Sequence, residues 1–432
     1  MEIRRNVFVL GLDHHNHQLL EQLPDAHRYR FHQLLTIEEL QLGERIPLAE
    51  LLDKAQDQLN VFDGSIDAIV GYWDFPVSSM VPMLCERNGL KWHPSLRAIV
   101  KCEHKYWSRT EQRKVLDEEC PPFGLVDPDR DESPPTGVRY PMWIKPVKSF
   151  DGMLAYRASN LDEFQEALRR IRGGIGRISA AFDVVLDHVE LPPEMARIGG
   201  NACIAEEALH GKQVTLEGYC YRGQPHVYGA VDSVTYKDIP SFVRFQYPSS
   251  LPRSVVGRMA SVSKRVIRQL GLDDSTFNIE FFWDPDADSI GLLEVNPRHS
   301  QSHAALFRHV DGLPNHHCML RLAFGRDPRL PHRQGRYSVA AKSFLRCFRD
   351  GVVLREPTES EIAAIEQEIP GTTIDLVAHR GDRLSALFDQ DSYSYKLANI
   401  HIGAVDEAEL IAKYHRCEQL LRYQIGDVPT PA

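Results

Sequence analysis

The stretch TFNIEFFWDPDADSIGLLEVNPR, residues 276–298, constrains this chain more than any other. In its first arm Phe277, Ile279 and Phe281 alternate with Asn278 and Glu280, the period of two that a strand requires. The central DPDADS supplies Asp, Pro and Ser, residues that favour turns. The spacing predicts an antiparallel hairpin. With its loop centred near Asp286, Asn278 falls opposite Glu294 and Glu280 opposite Leu292. Asn278, Glu280, Glu294 and Asn296 then share one face, while Phe277, Ile279, Phe281, Leu293 and Val295 share the other. Two carboxylates and an amide on one side, followed at once by Arg298, set hard oxygen donors beside a fixed positive charge. Such donors suit Mg²⁺, which usually takes one or two carboxylates plus phosphate oxygens from a nucleotide. The competing reading is a solvated sheet face with scattered charges.

The pattern E-x-N-x-R at 294–298, with Glu280 fourteen residues upstream, resembles the metal-binding end of the ATP-grasp superfamily. That superfamily includes biotin carboxylase, D-alanine–D-alanine ligase, carbamoyl phosphate synthetase and the L-amino-acid ligases. The resemblance implies an N-terminal α/β (Rossmann-like) domain, a central two-lobed nucleotide domain and a small C-terminal α+β domain. The corresponding boundaries are 1–100, 101–334 and 335–432. Matched motifs span roughly residues 100–310; elsewhere the resemblance rests on domain order.

Bulk properties are ordinary for a soluble globular protein. The chain has 432 residues, 43% hydrophobic and 25% charged, enough for about two to four domains. Its net charge of −10 argues against a nucleic-acid backbone as the main partner. No apolar run approaches the roughly 18 residues of a membrane span. The N-terminus reads as a first strand rather than a signal peptide. Eight cysteines without C-x-x-C spacing suit a reducing, cytoplasmic setting.

Residues 5–12 and 66–72 read as buried parallel strands with helical patterns between and after them. The loop that follows the first, Asp13-His14-His15-Asn16-His17, reads as a metal or substrate site or as a polar loop at a strand's C-terminal end. Residues 101–126 read as a helix stopped by Pro121 and Pro122. By the resemblance this helix carries a lysine that reaches the ATP phosphates, Lys105 first and Lys101 second. Residues 141–168 read as strand, loop, strand and a helix opened by Asn160. Here Lys145 matches the strand lysine on the α- and β-phosphates, and Lys148-Ser149-Phe150-Asp151-Gly152 matches the flap over them. Residues 202–234 read as three strands. In the family, the sequence at Glu206 and Glu207 begins the hinge that holds adenine, with Ala208 and Leu209 supplying backbone groups and an apolar wall. Gln213 stands where relatives often place an acidic ribose ligand. Glu217 reads either as a substrate- or metal-side carboxylate or as an exposed strand residue.

Beyond Arg298, where many relatives have glycines, the chain reads HSQSH, which falls in the acceptor pocket or caps a helix at Ser300 or Ser302. The cluster NHHC, 315–318, reads as helix packing before it reads as a metal site. From 335 onward come strands and an amphipathic helix whose Leu410, Ile411, Tyr414, Cys417 and Leu421 form a core stripe.

The resemblance implies an ATP-dependent ligase that activates a carboxylate as an acyl phosphate and joins it to an amine. ATP and Mg²⁺, with Mn²⁺ as an alternative ion, are the implied cofactors. Glu280, Glu294 and Asn296 are the implied metal ligands, and Arg298 and Lys145 the catalytic residues. Small carboxylates and amines, amino acids among them, are the implied partners, and a homodimer is a possible assembly. Carboxylation, thioester formation and a non-catalytic ATP-binding role are the alternatives.

Overall fold

The computed structural model describes residues 4–43, 45–149, 152–239, 241–387, 390–391 and 393–427. Near the N-terminus, Arg5–Leu10 lies between Tyr29–Leu34 and Ala68–Val70 in a parallel three-stranded sheet. Val7, Val9, Leu10, Ile69 and Val70 are buried, as strands covered on both faces must be. Tyr29–Leu34 carries no such apolar run. Its buried ends flank exposed Arg30 and Gln33, so this edge strand is not legible in the sequence. The segment after the first strand is not a loop. Asp13 accepts from the Asn16 N–H at 2.9 Å and starts a helix, His14–Glu21.

Residues 101–126 do not form one helix ending at Pro121. Two helices, Leu96–Glu103 and Lys105–Gln112, meet at His104. The His104 backbone is extended (ψ 96°), and its Nδ1 accepts from the Trp107 N–H at 3.2 Å, so one residue ends the first helix and caps the second. The Lys105 N–H donates to the Val147 carbonyl at 2.7 Å, which ties that cap to the neighbouring sheet.

That sheet has four antiparallel strands in the order Phe123–Val126, Cys203–Glu207, Met142–Pro146, Tyr156–Ala158. Helix Leu161–Gly174 covers it with Phe164, Leu168 and Ile171, and Asn160 caps that helix as expected. A larger sheet runs in the order Ser289–Asn296, Ser275–Asp284, Lys212–Tyr221, Gln224–Thr235, Phe242–Tyr247, Val339–Cys347, Tyr395–Ala404, Thr372–Leu376. All these pairings are antiparallel. Helix Arg253–Leu270 lays Val255, Met259, Val262 and Val266 against Phe277, Ile279 and Phe281 of the hairpin. Each such fully buried side chain contributes about 1.5–3 kcal/mol. The hairpin's polar face is therefore held rigidly by its apolar one.

The strands beyond residue 335 extend this same sheet through the pairing of Phe242–Tyr247 with Val339–Cys347. In the last helix, Glu407–Leu420, Leu410 and Cys417 are buried but Ile411 is 38% exposed. One step around a helix turns a side chain by about 100°, which takes Ile411 out of the expected stripe. Among the described residues no helix is long and apolar enough to cross a membrane.

Candidate active site

The hairpin has a different register from the one its sequence suggests. Asn278 pairs with Asn296 and Glu280 with Glu294, whereas Phe281 pairs with Leu292. Leu293 is thus an extra residue in the second strand, a bulge that shifts the register by one. The physical consequence is large. Without the bulge, the turn's register would set Glu280 opposite Leu293 and send Glu294 to the apolar face. With it, both carboxylates share one face. Leu292, fully buried, takes the core place expected of Leu293, and Leu293 lines the cleft instead. The expected face was right although the expected pairing was two residues off.

Glu280 and Glu294 therefore stand directly across from each other. Gln213 donates to Glu280 Oε2 at 2.9 Å, and the Asn296 amide donates to Asn278 Oδ1 at 2.9 Å and towards Glu280 Oε1 at 3.5 Å. Burial and the facing Glu294 push the Glu280 carboxyl up to about 7. Burial acts the same way on Glu294, but the Lys105 and Lys145 ammoniums outweigh it and hold that carboxyl below its usual range. Two opposed carboxylates and an amide oxygen, all hard donors, fit a hard divalent cation such as Mg²⁺.

Cations surround this pair. Lys105 Nζ bonds Glu294 Oε1 and donates to the Ser149 carbonyl at 3.1 Å. Lys145 Nζ lies 2.7 Å from Glu206 Oε2, and Arg109 Nε donates to Glu206 Oε1 at 2.7 Å. Burial opposes the Glu206 charge, yet Arg109 and Lys145 overcome it and bring the carboxyl down to about 2. Lys148 Nζ lies 3.5 Å from Glu103 Oε2 and 5.1 Å from the centre of the Phe75 ring. Burial lowers its pKa more than Glu103 raises it. Arg298 grips Asp74 through both Nε, at 2.9 Å, and Nη2. A small cavity is lined by Lys105, Arg109, Lys145, Glu206, Leu293 and Glu294, among others. In the expected flap, Lys148 and Ser149 are buried and Gly152 has a φ of +68°; Phe150 and Asp151 lie outside the described residues. Lys101 points elsewhere, with its ammonium 6.0 Å from the Trp107 ring centre.

Glu206 and Glu207 end the strand Cys203–Glu207, and Ala208–Gly211 turn into the larger sheet. The Ala208 N–H is already committed to the Pro141 carbonyl at 2.9 Å. Glu207 is gripped by Arg139 at 2.9 and 3.0 Å. Leu209 sits over Gly291, where any Cβ would come within 2.3 Å of its Cδ2. Gly211 combines a φ of +108° with a Cβ position 2.1 Å from the Trp283 carbonyl oxygen, so only glycine makes this turn.

At the other end of the hairpin, Glu217 is fully buried, which overturns its reading as an exposed strand residue. It accepts from Tyr228 Oη at 3.2 Å and from the Ser300 N–H at 3.1 Å, and its carboxylate lies 2.8 Å from His303 Nδ1. Ser300 precedes a short 3₁₀ turn without a side-chain cap bond, and His303 occupies the N-cap position of helix Ala304–Asp311, so neither expected serine cap forms. His299 links Thr276 Oγ1 (3.1 Å) to His316 Nδ1 (2.9 Å), and His316 Nε2 reaches Asn16 Oδ1 (2.8 Å). Asn16 and Tyr72 both donate to Asp13 Oδ2, at 2.6 and 2.9 Å. His317 meets the Pro328 carbonyl, so the NHHC cluster is hydrogen-bonded packing.

Three ion-pair partners of the expected site residues escaped sequence reasoning: Asp74, Glu103 and Arg109. Arg109 also donates to the Leu292 and Leu293 carbonyls at 2.9 and 2.7 Å and so holds the bulge in place. Its signal was available, since Arg109 follows Lys105 by four positions and shares its helix face. Asp74 sits just beyond a parallel strand's C-terminal end, where open α/β sheets gather ligands.

Residues 138–304 match the family model described as the ATP-grasp domain. The chain carries an ATP-grasp domain. Its fold resembles that of an L-amino acid ligase from Bacillus licheniformis, with a TM-score of 0.70 at 14% identity over 99% of this chain and 100% of that one. The ADP complex of an N5-carboxyaminoimidazole ribonucleotide synthetase is similar at a TM-score of 0.66 and 11% identity, covering 97% of each chain. A biotin carboxylase–ATP complex from Campylobacter jejuni gives a TM-score of 0.64 at 12% identity over 98% and 92%. At these identities the likeness is one of fold. No curated protein matches the chain in sequence.

Proposed function

We propose that this chain is an ATP-dependent carboxylate–amine ligase acting on amino acids or other small carboxylic acids. The observation that carries the reading is the cleft itself, where Glu280 and Glu294 face each other and Lys105, Lys145 and Arg109 line the same cavity. The fold shared with an L-amino acid ligase supports it.

Glu280, Glu294 and Asn296 would hold Mg²⁺, which would supply charge neutralisation for the nucleotide's phosphates. Lys105, Lys145 and Lys148 bind the phosphates. Each is paired with a carboxylate of the chain, so a nucleotide takes over these ammoniums from Glu294, Glu206 and Glu103. Phosphoryl transfer needs positioning and charge neutralisation more than covalent help from the protein. The substrate carboxylate attacks the γ-phosphorus, the bond to the β-γ bridging oxygen breaks, and ADP and an acyl phosphate result. The amine then adds to the acyl carbon, loses a proton and expels inorganic phosphate, leaving an amide. Arg298, with a planar fork suited to oxyanions, stabilises the transferred phosphoryl group. Lys148, Ser149 and Gly152 belong to the segment that covers the phosphates and excludes water. Leu209 forms an apolar wall for adenine; the Ala208 carbonyl, rather than its N–H, faces the base.

Incubation with Mg-ATP and pooled amino acids tests this reading. A product mass equal to two pool members minus water, formed together with ADP and phosphate and absent with Glu294→Gln, is the expected result. ADP release with no ligated product would instead favour a different nucleophile.

A further inference from the structure

A second cluster of donors lies away from the cleft. His15 sits in the first turn of the helix that Asp13 caps. Asp375 and His401 lie on adjacent strands, where Thr373 pairs with His401 and Asp375 with Asn399, so the two side chains are diagonal neighbours. His15 Nδ1 and His401 Nδ1 are each 3.4 Å from the same oxygen, Asp375 Oδ2. The imidazoles are stacked, 4.9 Å apart and 14° from parallel. Ligating atoms from the three residues all lie within 4.8 Å of one another.

The Asp375 carboxylate is the electrostatic partner of both imidazoles, but at 3.4 Å from each Nδ1 it makes no close hydrogen bond with either. His401 is buried, and its Nδ1 makes no hydrogen bond. A metal ion fits two of the three separations. Bonds of about 2.0–2.2 Å from a tetrahedral ion set its ligands roughly 3.3–3.5 Å apart, and both nitrogen–oxygen separations fall in that range. Two imidazoles and one carboxylate favour a transition ion over Mg²⁺ or Ca²⁺, which prefer all-oxygen sites.

We infer that His15, Asp375 and His401 bind a divalent transition ion, Zn²⁺ foremost, with an open fourth position. The ion ties the helix after the first strand to the far end of the large sheet. Lys342, opposite His401 in the register, sends its ammonium to Ser302 Oγ at 3.1 Å. The site therefore adjoins the segment 299–303 that follows the hairpin. This inference is independent of the ligase reading and survives its failure.

Co²⁺ titration of the full chain, with excess Mg²⁺ to saturate the hairpin carboxylates, is the test. One equivalent of Co²⁺ should give the intense visible absorption of a four-coordinate site with nitrogen ligands, and Zn²⁺ should displace it. His15→Ala should weaken binding by more than about tenfold and abolish any Zn²⁺-dependent rise in Tm. His15 is half-buried, so its removal leaves the fold standing and carries the decision; His401→Ala, at a buried position, is read only where its circular dichroism matches wild type. Absence of Co²⁺ binding would overturn the inference. So would weak six-coordinate absorption that Mg²⁺ removes, or binding unchanged in His15→Ala, because the ion would then sit at the hairpin or elsewhere.

Discussion

Two parts of one strand, Ser275–Asp284, its start and its middle, are buried by opposite means. Around Glu280 the chain gathers charges: Glu294, Lys105, Lys145 and Glu206 stand in one cleft. Around Thr276, four residues away, it gathers neutral rings and amides, with His299, His316 and Asn16 in a hydrogen-bonded series. Burial keeps His316 down at about 3 and His299 well below its ordinary value, so both stay uncharged at neutral pH. On the proposed reading, the charged region holds groups whose partners are exchanged for a ligand's, and the neutral region fixes the geometry from which that exchange proceeds. Burial alone therefore does not mark a functional group; what matters is whether its present partner can be replaced.

The largest expected effect falls on the charged region. Glu206→Gln removes the buried carboxylate that Arg109 and Lys145 share and should cost roughly 3–5 kcal/mol at pH 7, measured by denaturant unfolding. The Glu206 carboxyl is held near 2, below its unfolded value of 4.5. Its contribution is accordingly present above about 4.5 and lost as pH falls towards 2. Wild type and Glu206→Gln should converge over that window; a constant gap would show that lost packing, not charge, causes the difference.

Glu294→Gln comes next. It should lower turnover by at least ~10²-fold while circular dichroism is unchanged, since on the proposed reading it removes an anionic ligand of the Mg²⁺ that neutralises the phosphates. His316→Ala sharpens the contrast. It breaks two buried hydrogen bonds and should cost about 1–3 kcal/mol in stability, with nucleotide affinity unaltered in calorimetry. Should it reduce nucleotide affinity as severely as Glu294→Gln reduces turnover, the division between the two regions would fail. The smallest effect belongs to Ile411→Ser, at a 38% exposed position, which should stay within about 0.5 kcal/mol of wild type in thermal unfolding.

Much of the fold was legible because periodicity reports which face is buried. Alternation of Phe277, Ile279 and Phe281 revealed the hairpin, and Asn160 announced its helix. The Leu293 bulge was not legible, because Leu292 and Leu293 are both apolar and either could fill the core. The break at His104 was hidden for a related reason: it depends on a side-chain bond to Trp107 and on a tertiary bond to Val147, neither of which leaves a local pattern. At the site, lysines and glutamates that recur in family motifs stood out. Their partners Asp74, Glu103 and Arg109 did not, since an ion pair between residues as distant as Asp74 and Arg298 has no signature in spacing. His15 drew notice as part of a histidine-rich run, but its neighbours Asp375 and His401 come together only through folding.

On the proposed reading, the charged cleft transfers a phosphoryl group to a carboxylate, and an amine then captures the acyl phosphate. Product analysis by mass spectrometry, after incubation with Mg-ATP and pooled amino acids and small carboxylic acids, tests it most directly in wild type and Glu294→Gln. The claim predicts a condensed product in wild type, with one ADP and one phosphate per product molecule, and none in the variant. ADP formation that ignores the pool, or a condensed product undiminished in Glu294→Gln, would contradict it.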